Sequence, residues 1–357
     1  MGKSKRIAFE IRIILDCSLA ISLENHLLDY KYSNGHQDNL CIEDNLIKIS
    51  GDRSNKPNFE EIFINNQSEI YFQLMKSYVY YCISNGVIPE ILEIRCYDPN
   101  NNVVKRYTRS TITNLQVCRD PQKLKDISKS KLSVIFKSSK EGIKHLYATT
   151  TLIRSFCSKD SNDIFEKLWK SYNSIYKIRS SKGTDRGCLD DMGVLMSTNP
   201  SDFPLSVTKV TNLDKTSILA STRWFKMLEY FYLIQGNPNT KENRLNVFLT
   251  KFNDLRLSQI ALETIDFKNN FWSNSNLHAQ TLTQINALIA NQNTNDGEVI
   301  EVLCNYYMYF LRNKSLHGDQ TDHSFRFISN NKEEKTLMFS SEILFSVVCD
   351  LINNHPY

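Results

Sequence analysis

N-D-G-E-V-I-E-V-L-C-N-Y-Y-M-Y-F-L-R-N-K-S-L-H-G-D, residues 295–319, decides how the second half of this chain reads. Asn295 and Glu298 have the spacing of a capping box, in which two side chains satisfy the first free amides of a helix. Val299, Val302, Leu303, Tyr306, Tyr307 and Phe310 then recur at intervals of three and four, which predicts one wide buried face. Arg312, Asn313 and His317 close the run, and Gly318 stands where a left-handed C-terminal cap belongs.

So polar a cluster is unusual at the end of so apolar a helix. Asn313 and His317 are four residues apart, on one face of a turn, and the long side chain of Arg312 reaches the same side. This R-N-x-x-x-H-G run resembles the signature of the HEPN superfamily, an Arg followed at short spacing by a His, with a polar residue commonly after the Arg. A second run, F-E-K-L-W-K-S-Y-N-S-I-Y from Phe165 to Tyr176, looks like the first helix of some large HEPN proteins of prokaryotic defence systems. Many members are metal-independent endoribonucleases of toxin–antitoxin, abortive-infection and CRISPR systems. The resemblance implies an all-α catalytic bundle, an RNA substrate and no cofactor. It also implies a homodimer in which Arg312 and His317 of each copy face one cleft. Products with 2′,3′-cyclic phosphate and 5′-hydroxyl ends follow from the same likeness, as does a restraining antitoxin or a sensor protein as a further partner.

The residue types suit that chemistry. Imidazole titrates near neutral pH, so His317 can take a proton from the ribose 2′-hydroxyl or give one to the leaving oxygen. Arg312 offers a planar, permanently charged fork for phosphate oxygens and for the charge that gathers there. Asn313 can hydrogen-bond the scissile phosphate or hold the histidine in one orientation. The plain alternative is that Arg312 and His317 merely favour the helix dipole while Gly318 ends the helix.

With 357 residues the chain has room for two domains, each with a core of its own. A net charge of +4 allows a nucleic-acid partner without requiring one. Nine cysteines without a C-x-x-C pair suggest reduced thiols in a cytoplasmic protein and no metal site. Glu10 and Arg12 interrupt the apolar start, which excludes a signal-peptide core and a membrane span there.

The expected fold class is α+β: a mixed α+β domain over residues 1–155, of regulatory, sensing or targeting character, then an all-α HEPN-like bundle over 156–357 that carries catalysis and dimerisation. In the first domain, Ile7, Phe9, Ile11 and Ile13 alternate with the residues between them as in a strand. Leu46–Ile49 reads as another strand. Asn66 and Glu69 form a capping box for a helix that Gly86 stops, and residues 91–97 and 103–107 flank a D-P-N-N turn. No phosphate loop, paired-carboxylate motif or G-x-S-x-G occurs in this half. The lysine-rich stretch 119–145 reads as a solvated face or an RNA-backbone track around one strand, Leu132 to Phe136.

The second half predicts helices from Asp160, over 216–234, 243–263 and 276–291, and from Ser340 to Asn353. An irregular stretch covers 196–216, and an extended excursion covers 324–339. Lys177, Arg179, Lys182 and Arg186 form a basic loop that, with Lys314, is a candidate RNA-binding set. His323 and Asp319 can assist in the cleft or be loop residues in solvent. Glu229 can orient a motif residue from behind or serve as a boundary carboxylate. Besides the nuclease, two further readings stand: a catalytically inactive HEPN-like module that dimerises and binds RNA or protein, and a plain interaction protein.

Overall fold

The computed structural model describes residues 6–32, 35–316, 328 and 331–357. The chain divides into two compact units: Met1–Lys159 together with Ile352–Tyr357, and Asp160–Leu351. The first is α+β, with an antiparallel sheet, and the second is helical.

In the first unit, β1 (Ile7–Leu15), β2 (Glu24–Asp29), β3 (Gln37–Glu43), β4 (Leu46–Arg53), β5 (Ile91–Tyr97) and β6 (Val103–Thr108) pair in the order β2-β3-β4-β1-β5-β6. Each ladder is antiparallel, with Ile11 opposite Ile49 on one side of β1 and Cys96 on the other. The period-2 pattern of β1 holds: Phe9, Ile11, Ile13 and Leu15 are buried and their neighbours lie toward the opposite face. Each such side chain, once fully buried, contributes about 1.5–3 kcal/mol. On the wetter face Lys48, Arg12, Arg95 and Arg106 stand side by side across four strands. Like charges opposed in this way repel, and Glu10 and Glu93 offset that by pairing with Lys48 at 2.8 Å and Arg95 at 2.7 Å.

The Glu69–Asn85 helix packs over β3 and β4, and the Lys140–Phe156 helix packs on it in turn. Its N-cap is Ser68, whose hydroxyl accepts from the Tyr71 amide at 3.2 Å. The N-cap therefore lies two residues beyond Asn66, and with Tyr71 at the third helical position the expected capping box does not form. The Glu69 carboxylate instead receives the amides of Lys31 and Tyr32. Gly86 stops the helix in a left-handed conformation, φ 62°, as expected. Leu132–Phe136 is not a strand. Lys129–Leu132 is helical and Ser133–Phe136 continues as 3-10 helix, because Leu132, Ile135 and Phe136 are all needed on the one buried side.

The helical unit departs from the expected bounds at several points. A single helix over 216–234 is broken: Lys215–Ser221 ends at Thr222, which is extended at φ −123°, ψ 164°. Here the Arg223 amide leaves the helix ladder and donates to the Tyr307 hydroxyl at 3.0 Å. The chain then resumes as Trp224–Glu229 and passes into a π-helical segment, Tyr230–Ile234. Residues 243–263 likewise split into Lys241–Leu249 and Leu255–Thr264. The break is held by the Glu298 carboxylate, which takes the amides of Asn253 and Asp254 at 2.7 and 2.8 Å. The irregular stretch contains a helix, Pro204–Val210, whose first amides and Ser206 hydroxyl are satisfied by the fully buried Asp350. The excursion expected over 324–339 is helical from Lys332, the start of the Lys332–Asn353 helix. That helix is long and apolar enough to cross a membrane, and 78% of its most apolar window is buried within the protein, as in a core helix.

The central helix runs through Asp296–Glu301, a π-helical Val302–Met308 and Tyr309–Leu316. Asn295 caps it, accepting from the Glu298 amide, but Glu298 does not return the bond and the capping box is half formed. Gly297 allows its close approach to the Asp185–Thr198 helix, since a Cβ there would lie 2.1 Å from the Met196 carbonyl oxygen. Nearly all of its side chains from Gly297 to Leu311 are buried, and Tyr306 and Tyr309 are the half-exposed exceptions.

Candidate functional site

The central helix delivers Arg312 and Asn313 one turn beyond Tyr309. Register up to that point is locked by Asn305, which is 1% exposed. Its Oδ1 accepts from the Tyr172 hydroxyl at 2.9 Å and its Nδ2 donates to the Leu189 carbonyl at 2.7 Å. A buried amide so satisfied costs little, while any slip of the helix would strand three polar groups.

Asn313 is 5% exposed, so it is an interior residue and not one that faces solvent. Its Oδ1 accepts from Arg312 Nη1 at 2.9 Å. The amide thus orients the arginine. Arg312 is half-buried, and its Nε–H is withdrawn from water with no acceptor among the described residues. Its guanidinium acts on Tyr176, whose phenol is pushed up chiefly by burial while the positive charge pulls the other way. Trp169 lies 6.4 Å from Tyr176 and 6.2 Å from Tyr309 between ring centroids, so an aromatic wall from the Ser161–Arg179 helix backs the site. A guanidinium oriented through Nη1 by a neighbouring amide still has further N–H donors in a planar fork, a geometry suited to an oxyanion such as phosphate.

His317, Asp319 and His323 lie outside the described residues. Glu229 pairs with Lys226 at 2.8 Å and Lys268 at 3.6 Å, which depress its carboxyl, and no bond from it to Arg312 or Asn313 is present. The expected basic loop is mostly helix: Lys177 and Arg179 end the Ser161–Arg179 helix and Arg186 lies in the first turn of Asp185–Thr198, with Lys182 between them. Lys177 pairs with Asp185 at 2.8 Å. Lys314 stands over the Tyr230 ring at 5.6 Å. Arg186 pairs with Asp190 at 3.1 Å.

Arg186 also lies 4.5 Å over the Tyr306 ring and helps line a groove of about 570 Å³, together with Arg244, Lys251, Tyr232 and Tyr309. Sequence reasoning passed over Arg244 and Lys251 and placed Tyr306 on the buried stripe. A π-helical segment carries more residues per turn than the assumed 3.6, so it rotates Tyr306 out of that stripe while Tyr307 remains fully buried. The available signal was the i, i+3 pair Tyr306 and Tyr309 in Y-Y-M-Y.

Among the described residues, no group of three or more His, Cys, Asp or Glu side chains is arranged to hold a metal ion. Comparison of the chain with protein-family models, with curated proteins and with solved structures finds no match.

Proposed function

We propose that the chain is a HEPN-type endoribonuclease that cuts RNA through its 2′-hydroxyl without a metal. The observation that carries this is Arg312, a half-buried guanidinium whose Nε–H meets no acceptor among the described residues, oriented by Asn313 at the end of the central helix and followed by the rest of the R-N-x-x-x-H-G run. In the proposed reaction His317 removes the 2′-hydroxyl proton or protonates the 5′-oxygen. The 2′-oxygen attacks phosphorus, the bond to the 5′-oxygen breaks, and Arg312 stabilises the negative charge on the non-bridging oxygens. The products are a 2′,3′-cyclic phosphate and a free 5′-hydroxyl. A symmetric homodimer through the helical unit would supply the second proton carrier, one His317 from each copy. The sheet unit would act as the sensing or regulatory part, in a cytoplasmic defence effector or toxin restrained until triggered.

A second reading has its own support. Asn313 is buried and its carbonyl is committed to Arg312, which suits a HEPN-like module that binds RNA without cutting it.

Incubation of the purified protein with total tRNA and a structured messenger RNA in excess EDTA separates the two. Cuts bearing cyclic-phosphate ends, lost in well-folded Arg312→Ala and His317→Ala, are expected. Absence of cutting by a folded dimer would favour the binding module. Equal cutting by parent and variants would remove the motif from the reaction.

A further inference from the structure

The groove lined by Arg186, Arg244 and Lys251 draws on two π-helical segments. Tyr230–Ile234 contributes Tyr232, and Val302–Met308 contributes Tyr306, with Tyr309 one residue past its end. Such segments are uncommon and concentrate at functional sites. Each leaves a carbonyl that an arginine of the groove reaches. Arg244 donates from Nη2 to the Phe231 oxygen at 3.1 Å and from Nη1 to the Gln235 oxygen at 3.2 Å. Arg186 Nη1 reaches the Asn305 oxygen at 3.5 Å.

Capping loose carbonyls explains where these arginines sit, but it consumes only part of a guanidinium's five N–H donors and none of its charge. Arg186 shares its charge with the exposed Asp190 at 3.1 Å, and Lys251 with the buried Glu301. Arg244 has no carboxylate partner among the described residues. Its position is built in: Gly236 has φ +91°, and a Cβ there would fall 1.9 Å from Arg244 Nη1. The same cations lie against rings, with Arg186 4.5 Å and Lys251 5.4 Å from the Tyr306 centroid. The exposed Val247 completes an apolar margin.

Cations that track a phosphate backbone, alternating with aromatic faces on which bases stack, are the physical requirements for binding a single strand of nucleic acid. A volume of about 570 Å³ falls in the range that holds a nucleotide-sized group. We infer that this groove binds an unpaired segment of RNA, with a base against Tyr306 or Tyr309 and phosphates on Arg244 and Lys251. Tyr309 lies one turn before Arg312 on the same helix, so a strand held here is fed toward the candidate reaction centre. The inference rests on RNA being the substrate, and it makes the groove the element that selects unpaired over paired strands.

The test uses the full chain and a fluorescein-labelled, 2′-O-methylated oligo-A strand of about ten nucleotides, within the site sizes known for stacking grooves. Without a 2′-hydroxyl the strand cannot be cut by the proposed route, so fluorescence anisotropy reads binding alone. Val247→Glu adds a carboxylate at an exposed position that makes no core contact, and Arg244→Gln removes the unpaired charge. Each is expected to weaken binding about tenfold or more, and Arg244→Gln to lower the salt slope by about one. Unlabelled strand should displace the probe at concentrations where 5′-AMP does not, and a hairpin duplex should bind weakly. Binding by both variants within twofold of the parent, absence of parent binding, or equal displacement by 5′-AMP would overturn the inference. Arg312→Ala tells the two proposals apart. If it stops cutting of unmodified RNA while Val247→Glu and Arg244→Gln both bind as the parent does, the nuclease stands and the groove fails. If no form cuts but Val247→Glu loses the strand, the groove stands and the nuclease fails.

Discussion

Arg53 at the end of β4 and Arg312 at the end of the central helix are both drawn out of water, and their surroundings differ in one respect. Arg53 sets its fork on Asp38, Nη1 to Oδ1 at 2.8 Å and Nη2 to Oδ2 at 2.7 Å, and stacks over the rings of Phe9 and Tyr30. Asp38 is fully buried and also receives the Tyr30 hydroxyl. Both Nη atoms of Arg53 meet a carboxylate oxygen, so the group acts as a structural tie between β3 and β4. Arg312 has one amide oxygen, a tyrosine nearby and a buried Nε–H that no acceptor among the described residues receives. A buried arginine with a carboxylate supports the fold. Arg312 has no such carboxylate bonded to it among the described residues.

Removing the partner of one arginine, or the other arginine itself, should have opposite effects on stability and cleavage. Asp38→Ala leaves Arg53 charged and unpaired, which costs about 3–5 kcal/mol. Hydrogen exchange of the β3 and β4 amides should accelerate accordingly, and unchanged protection would mean that the pair is not a tie. Arg312→Ala should reverse the pattern, leaving the melting temperature within a degree or two and lowering the cleavage rate by roughly 10²–10³-fold. Arg312→Lys should rescue little, because a point charge does not replace a planar fork.

Lys76 is a third cation drawn out of water, with no carboxylate bonded to it among the described residues. It is 3% exposed, donates to the Asp29 carbonyl at 2.6 Å, and burial pulls its pKa down to about 8. Its folded pKa is below the unfolded value, so the stability it contributes is present above about pH 10.5 and is lost as pH falls through about 8. Relative to Lys76→Met, whose side chain does not titrate, the parent should therefore gain about 2 kcal/mol between pH 7.5 and 10 in urea unfolding. A constant difference across that range would show that the ammonium is not desolvated. The smallest effect should come from Tyr30→Phe, which removes one hydroxyl from the Asp38 group and costs about 1 kcal/mol. A change in cleavage from that variant would argue against separate roles for the two arginines.

Much of the first unit was legible because its signals are local. The alternation of Phe9, Ile11, Ile13 and Leu15, the D-P-N-N turn and Gly86 report conformations set by neighbours a few residues away. The lysine-rich 119–145 stretch misled at Leu132–Phe136, where a short apolar run fits a strand or a helical turn equally well and packing decides. In the second half, the existence of helices followed from three-and-four spacing, but not their breaks. Thr222 and Arg223 leave the helix for a bond to Tyr307, and Asn253 and Asp254 do so for Glu298, both distant in sequence. The pairing of Arg312 with Asn313 was within reach because the two are adjacent. The burial of Asn313 was not.

The α+β class, most helices and strands, the cap at Gly86 and the polar cluster at the end of an apolar helix could all be read from the residues alone. These rest on short-range sterics and hydrogen bonds that each segment carries with it. Only the tertiary structure decided the strand order, which arginine finds a carboxylate, and the groove itself. Arg186, Arg244 and Tyr306 come from three separate helices, and π-helical turns set by packing rotate the tyrosines toward the cations. Such a site exists only once distant segments are brought together, because no local interaction encodes it.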